Sequence, residues 1–358
     1  MNQKDKLFVP FIPILIILSC MSDGILKSKY NGFRPVAMND GWVVSSPVAE
    51  NMDSLLLDMA YRLVYDEDRF WMARSLLVLR NGRLVAEAYP HDPEDINRIQ
   101  NIQSCAKSFT SVLTGIALEQ GLIDSVKEPL SEICPELFAD HPDKTDITIE
   151  YALTMRTGID FDNDENTLDL YQTGGSSADY VLGLPKDYPA GIVFHYNDGA
   201  PHLISAAIQR RAGKTLAEFA DENLFIPLGI DDWQWESAND GITFGAFSLY
   251  LKPRDIARFG QMLLDNGGWN GQQVVDSAWI AQATQPLVTS NDYGASYGFY
   301  FWVFPGSQAF SAIGHGGQRI YIVPSENLVI VYTAWPYTSD MLFDHFTELS
   351  DLIIESCF

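Results

Sequence analysis

Cysteine is scarce in this chain, and the patterns that hold metals are missing. Four cysteines occur among 358 residues, at positions 20, 105, 134 and 357. Their spacing contains no CxxC and no disulfide framework. The six histidines form no HExxH and no i,i+4 pair, so no metal site is expected; an organic cofactor is not expected either. Positive charge is also sparse. Lys and Arg number 23 against 47 Asp and Glu, for a formal net charge of −24. Such a surface repels phosphate backbones and excludes nucleic acid as a natural partner. No apolar run reaches the roughly 20 residues of a comfortable membrane span, and there is no internal repeat or low-complexity tract.

What is present is a globular composition, 47% hydrophobic and 20% charged, in a chain long enough to bury a sizeable core. The first residues differ from the rest. MNQKDK carries two lysines and is followed by LFVPFIPILIILSC, a short Pro-broken apolar run that reads as a secretion signal. Its end, Ile17-Leu18-Ser19-Cys20, resembles a bacterial lipobox, in which the cysteine is lipidated and becomes the new N-terminus. Plain cleavage near Ser19 is the alternative. Residues 1–20 are therefore expected as leader. Three cysteines then remain, and the odd number leaves at least one free thiol. The location expected is the cell envelope, periplasmic or at the outer membrane, with membrane contact through the lipid on Cys20.

Residues 21–50 read as a loose tether, and 51–358 as one domain. NMDSLLLDMAYRLVYD has helical periodicity. SLLVLR and RLVAEAY flank Asn81-Gly82, a strong hairpin signal. From Ser104 to about 289 the pattern is mainly helical, with FDNDENTLDLYQTGGSSADY as a long polar surface loop. Strand signals return in YGFYFWVF, QRIYIVP and NLVIVYTAW, and a last helix follows. The expected fold is α+β. An antiparallel sheet is built from both chain ends (51–103 and 290–358) and flanked by the terminal helices. A mainly helical second lobe (104–289) stands beside it, with a crevice between the two.

Residues 104–107 read SCAK. An alcohol is a poor nucleophile until a base takes its proton. On a helix, i and i+3 share a face, so Lys107 can reach the Ser104 hydroxyl. A helix N-terminus at Ser104 also favours a developing oxyanion. Ser and Lys are nevertheless ordinary at helix starts, so SxxK alone decides nothing.

Two further segments add weight. FHYNDGAPHLISAAI (194–208) puts a tyrosine in a Gly- and Asn-rich turn ahead of a helix. SAIGHGGQRIYIVP (311–324) puts His-Gly-Gly at the entry to a strand. With SCAKSFTSVLTGIALEQGLI, they resemble the serine hydrolases of the β-lactamase and penicillin-binding-protein superfamily. The likeness is to the class C-like branch that includes esterases, D-amino-acid peptidases and enzymes similar to 6-aminohexanoate-dimer hydrolase, and it extends over about residues 70 to 335. That resemblance implies a cleft lined by S-x-x-K, Y-x-N and K-T-G or H-x-G motifs. It implies Ser104 as nucleophile, Lys107 as its base, and Tyr196 as proton relay to the leaving group. His315 stands where the family has the lysine of K-T-G, and Gly316 and Gly317 leave the strand edge open. The N–H groups of Ser104 and Gln318 are the implied oxyanion hole. The implied substrate is a small ester, amide or peptide-like molecule. A penicillin-binding or peptidoglycan-sensing lipoprotein that acylates without turnover is the alternative.

Two positions depart from the pattern. The third residue of Y-x-N is Asp198, which cannot donate to a substrate carbonyl. Facing inward, it raises the Lys107 pKa and makes Tyr196 the favoured base, because a nearby cation lowers a phenol's pKa. Facing outward, it is a solvated acid, and Asn197 is the candidate to replace the lost amide. His315 carries its charge only when protonated, which argues against penicillinase activity and for less charged substrates. Cys105 cannot share the Ser104 cleft, since successive helical residues point about 100° apart; it reads as packing. A rival GxSxG occurs at Gly294–Gly298, but a strand rather than a helix follows Ser296, and Asp340 and His345 fall in the last helix. Tyr300-Phe301-Trp302 and the 161–180 loop are expected to shape the pocket.

Overall fold

The computed structural model describes residues 27–290, 292, 294–335 and 342–358. Cys20, the apolar run before it and Asp340 lie outside these residues. The Asn81-Gly82 turn forms as its sequence demands: both residues take positive φ, 53° and 74°, which lets a two-residue loop match the twist of its strands. It joins β1 (Ala73–Arg80) to β2 (Arg83–Ala88). Six more strands come from the other chain end: β3 (Val288–Thr289), β4 (Ser296–Tyr297), β5 (Trp302–Phe304), β6 (Ala309–Gly314), β7 (Gln318–Val323) and β8 (Leu328–Ala334). They form one antiparallel sheet in the order β2-β1-β8-β7-β6-β5-β4-β3. The first and last long strands are thus neighbours, with Leu77 opposite Val331.

Helices of seven residues or more, among the described residues, are α1 (Ser54–Asp66), α2 (Ala106–Glu119), α3 (Asn163–Gln172), α4 (Ser177–Gly183), α5 (Gly199–Ala212), α6 (Pro253–Leu264), α7 (Ser277–Ala283) and α8 (Leu342–Glu355). Strand side chains alternate between faces, and the sheet buries both. Leu76, Val78, Ile330 and Tyr332 pack with Leu57, Tyr61, Leu349 and Ile353 of the terminal helices. Leu77, Leu79, Val329 and Val331 join the larger core that contains Ile256, Phe259 and Leu263 of α6. The architecture is the expected mixed α+β one.

Three parts differ from the sequence reading. Helix α6 lies within the 104–289 span yet covers the inner face of the sheet, because its apolar stripe has β1, β7 and β8 to bury against. The stretch 27–50 is no loose tether where it is described. Val44 bridges Leu84, Glu87 N–H donates to the Phe33 carbonyl, and Arg254 of α6 binds Asp40 Oδ2 (2.6 Å), the Val36 carbonyl (2.6 Å) and Glu87. Buried charges need such partners, and this arginine finds them by pulling the N-terminal segment onto the sheet. The polar 161–180 stretch is mostly helical, as α3 and α4, because Asp162 and Ser176 cap their first turns through Asp164 N–H and Asp179 N–H.

Candidate active site

A tight turn delivers Ser104. Asn101 Oδ1 accepts from Gln103 N–H at 2.9 Å, and Gln103 takes φ 51°, a left-handed value that a glutamine holds only under constraint. Gln103–Cys105 forms a single 3-10 turn, and α2 follows. Every residue from Ala106 to Ala117 of α2 is buried. Two of its hydroxyls bond inward: Ser108 donates to the Tyr300 carbonyl and Thr110 to the Gly245 carbonyl, both at 2.7 Å. Ser104 itself stays half-exposed and lines a cleft of about 640 Å³.

One turn on, Lys107 is 1% exposed. Its Nζ donates to Ser104 Oγ at 2.8 Å, to Asp198 Oδ1 at 2.6 Å and to the Ala246 carbonyl at 3.3 Å. Three acceptors match the three protons of an ammonium. Burial works against that charge, but Asp198 and Tyr196 outweigh it and raise the Lys107 pKa. Tyr196 sits in the turn before α5 with its ring beside Lys107 and its phenol close enough to Lys107 and Ser104 to feel both. Its ring centroid is 4.8 Å from Lys107 Nζ, 5.5 Å from the Trp302 ring and 6.0 Å from the Tyr297 ring.

Asp198 faces inward, so the choice left open by the sequence closes. Its second oxygen accepts from Thr167 Oγ1 at 2.8 Å, and its N–H donates to Asn163 Oδ1 at 2.9 Å. The expected lowering of the Tyr196 pKa does not follow: burial is the largest influence and raises it, and Asp198 adds to that against the pull of Lys107. Nor does Asn197 replace the missing amide. Its Nδ2 donates to the His195 carbonyl (2.7 Å) and its Oδ1 accepts from Ala200 N–H (2.8 Å), so it is used up in starting α5.

The third segment closes the cleft. His315 lies exposed on its rim. Gly316 and Gly317 carry φ of 76° and 95°, which other residues adopt at a cost. Gln318 is held by its side chain, whose Oε1 accepts from Ala334 N–H (3.1 Å) while Nε2 donates to the Ala334 carbonyl (2.8 Å). Gly314, which the sequence reading passed over, brings the two halves together. A Cβ there would stand 2.5 Å from the Ile102 carbonyl oxygen, 3.2 Å from Gln103 Cβ and 3.0 Å from Gln318 Cβ. The strand end and the Ser104 turn therefore touch where a side chain would hold them apart. Ser104, Lys107, Tyr196, Asp198, His315 and Gln318 thus converge from three distant segments.

The remaining candidates fall away. Cys105 is buried, and burial pushes its thiol up to about 12. Ser296 lies in β4, paired with Thr289 and Val303, not on a strand-to-helix turn. Among the described residues no His/Cys/Asp/Glu group is arranged to hold a metal. A second Ser/His/Asp group does exist: Ser177 Oγ is 2.7 Å from His202 Nε2 and donates to Asp240. Ser177 and His202 are wholly buried and the carboxylate meets the serine rather than the imidazole, so this trio clips α4 to α5 and reaches no substrate.

Residues 73–343 match the family model described as Beta-lactamase. The chain belongs to that family. It is 25% identical over 291 residues to the 6-aminohexanoate-dimer hydrolase of Paenarthrobacter ureafaciens, covering 73% of this chain and 72% of that protein. Among solved structures, a penicillin-binding protein from Bacillus halodurans superposes with a TM-score of 0.64 at 18% identity, over 81% of this chain and 98% of that one. EstCE1, described as a hydrolase with promiscuous acyltransferase activity, superposes with a TM-score of 0.69 at 14% identity, over 86% and 99%. At such identities the structural likeness speaks for the fold of this beta-lactamase family member, and the chemistry must come from its own residues. Asn163 and Thr167 of α3, within the 161–180 stretch expected to shape the pocket, also line the cleft, as does Glu236, which the sequence reading did not single out. No local motif marks Glu236, which follows the short strand Trp233–Trp235 and reaches the cleft only through the fold.

Proposed function

We propose that the protein is a serine hydrolase that forms an acyl-enzyme on Ser104 and cleaves an ester or amide bond. The single observation that carries this reading is the 2.8 Å contact from a buried lysine amine to a serine hydroxyl open to a cleft. Lys107 rests as an ammonium, so it must first give up a proton. Asp198 Oδ1, at 2.6 Å, is its nearest acceptor and takes that proton. The neutral amine then takes the Ser104 proton as Oγ attacks the carbonyl carbon. The N–H groups of Ser104 and Gln318 meet the resulting oxyanion. As the bond to the leaving group breaks, the Tyr196 hydroxyl supplies its proton. Water then hydrolyses the acyl-enzyme by the reverse proton path, releasing acid and free enzyme.

With His315 in place of a lysine on the rim, esters and amides lacking a carboxylate near the scissile bond suit the cleft better than penicillins do. A fluorophosphonate probe tests the nucleophile. Labelling should vanish in Ser104→Ala and persist in Ser296→Ala and Cys105→Ala; retained labelling in Ser104→Ala defeats the assignment. Lys107→Ala should lower kcat far more than it raises KM, because it acts in the transition state. The firm hold of Asp198 on Lys107 favours one second reading, a lipoprotein that acylates and turns over slowly. A burst of one product equivalent with no steady state would distinguish it. Anchoring in the cell envelope through Cys20 belongs to either reading, and metabolic labelling with a palmitate analogue, compared with Cys20→Ala, checks it.

A further inference from the structure

The cleft has an uneven charge. Its described lining carries three carboxylates, Asp164, Asp198 and Glu236, and one basic side chain, His315. Asp198 is neutralised by Lys107, whereas Glu236 has no lysine, arginine or histidine partner among the described residues. Its surroundings are aromatic. Tyr171 donates to Glu236 Oε2 at 3.3 Å and Tyr250 to Oε1 at 3.4 Å, and Phe247 lines the same wall. The carboxylate is half-buried and its backbone is fixed, with Glu236 N–H on the Ser248 carbonyl (3.1 Å) and Phe244 N–H on the Glu236 carbonyl (3.0 Å). Long hydrogen bonds from two phenols leave lone pairs of both oxygens unused. A fixed carboxylate flanked by aromatic walls is the chemistry that holds an ammonium group, by Coulomb attraction and by contact with ring faces. An anionic group in the same place would meet repulsion.

We propose that Glu236, with Tyr171 and Tyr250, forms a subsite for a cationic group, and that the substrates of this cleft carry an ammonium, primary or quaternary, away from the scissile carbonyl. This rests on the reading of Ser104 as nucleophile in the same cavity. Nothing on Glu236 takes part in bond making; it sets which substrates sit productively.

Isosteric pairs differing only in N⁺ against C test the idea on the full chain. Choline butyrate against 3,3-dimethylbutyl butyrate places the cation on the alcohol side. The p-nitrophenyl esters of 4-(trimethylammonio)butyrate and 5,5-dimethylhexanoate place it on the acyl side. In one pair at least, kcat/KM should favour the cation by roughly tenfold, the equivalent of about 1.4 kcal/mol, and the preference should shrink with added salt. Glu236→Gln should abolish that preference. Equal rates in both pairs, or a preference that survives Glu236→Gln, overturn the proposal. Calorimetric binding to Ser104→Ala keeps it separable from the catalytic reading. There 4-(trimethylammonio)butyrate should bind more tightly than 5,5-dimethylhexanoate when Glu236 is present and not when it is Gln. If binding discriminates while wild type hydrolyses neither ester, the subsite stands and the nucleophile assignment fails.

Discussion

Replacing Asp198 with asparagine removes one charge from the centre of the site and little else. The amide keeps one oxygen, which can accept from Lys107 where Oδ1 stands at 2.6 Å, while its NH2 takes the place of Oδ2 and must donate to the Thr167 hydroxyl that donated to it before. Two opposite charges with centres about 4 Å apart attract by about 4 kcal/mol at an effective dielectric of about 20. That attraction favours the ammonium form, and a neighbouring charge commonly moves a group by about 1–3 units. The direction is fixed: Asp198 raises the Lys107 pKa and burial lowers it, so the asparagine variant must have the lower value. If attack on the substrate needs the neutral amine, the acid limb of log kcat/KM against pH should move down by about 1–3 units. Activity near neutral pH should rise with it. Stability shifts in the opposite sense. In the wild type the ion pair contributes below the ordinary lysine range and is lost as pH rises through the raised folded-state pKa. In the variant a buried, unpaired ammonium destabilises the fold near neutrality, and stability recovers as pH rises and the amine loses its proton. Rate profiles and thermal melts of both proteins from about pH 5 to 10 report both effects. An acid limb that stays in place or moves upward would refute the assignment of Lys107 as the titrating base.

Gly314→Val should separate the Ser104 turn from the strand end, cost about 1–3 kcal/mol of stability by overpacking, and cut kcat by more than that loss explains; unchanged kcat at a temperature where the variant is folded would contradict the contact. Cys105 should resist iodoacetamide in the native protein at pH 8, being buried with its thiol pushed up to about 12, and should react on unfolding in guanidinium; prompt native labelling, mapped by mass spectrometry, would show it is accessible. Burial lowers the His202 pKa to about 4 from an ordinary value of 6.5. The unfolded chain therefore binds the extra proton first, and about 3 kcal/mol of stability should fade as pH falls from about 6.5 to 4. Urea melts of His202→Gln should lack that component.

The parts of the fold written in local pattern were legible. Asn81-Gly82 announced its hairpin, the β-branched run at 328–334 its strand, and the last amphipathic stretch its helix. SxxK, the tyrosine turn and His-Gly-Gly each mark a backbone feature, which is why the sequence located them. What was not legible depends on distant partners. The inward turn of Asp198 is decided by Lys107, 91 residues away, and by Thr167 on a helix whose polar composition reads as loop. Arg254 recruits the 27–50 segment across more than 200 residues. The short pairing of Gln100–Asn101 with Leu249–Leu251, which floors the cleft, is too brief to leave a pattern. Tyr196 was given the right neighbours and the wrong direction of pKa, because its burial outweighs the cation beside it.

The pairing of β1 with β8 also constrains how the protein is made. Residues 73–80 leave the ribosome early, yet their hydrogen-bonding partners at 328–334 are translated some 250 residues later. At about 5–20 residues per second, that interval is on the order of tens of seconds, during which an apolar strand edge waits for its partner. Until then its neighbours are the β2 hairpin, α1 and, once it has been made, α6, none of which pairs with that edge. Chaperone capture of the nascent chain should therefore be strongest before β8 emerges, and ribosome profiling of chaperone-bound chains would reveal where it ends.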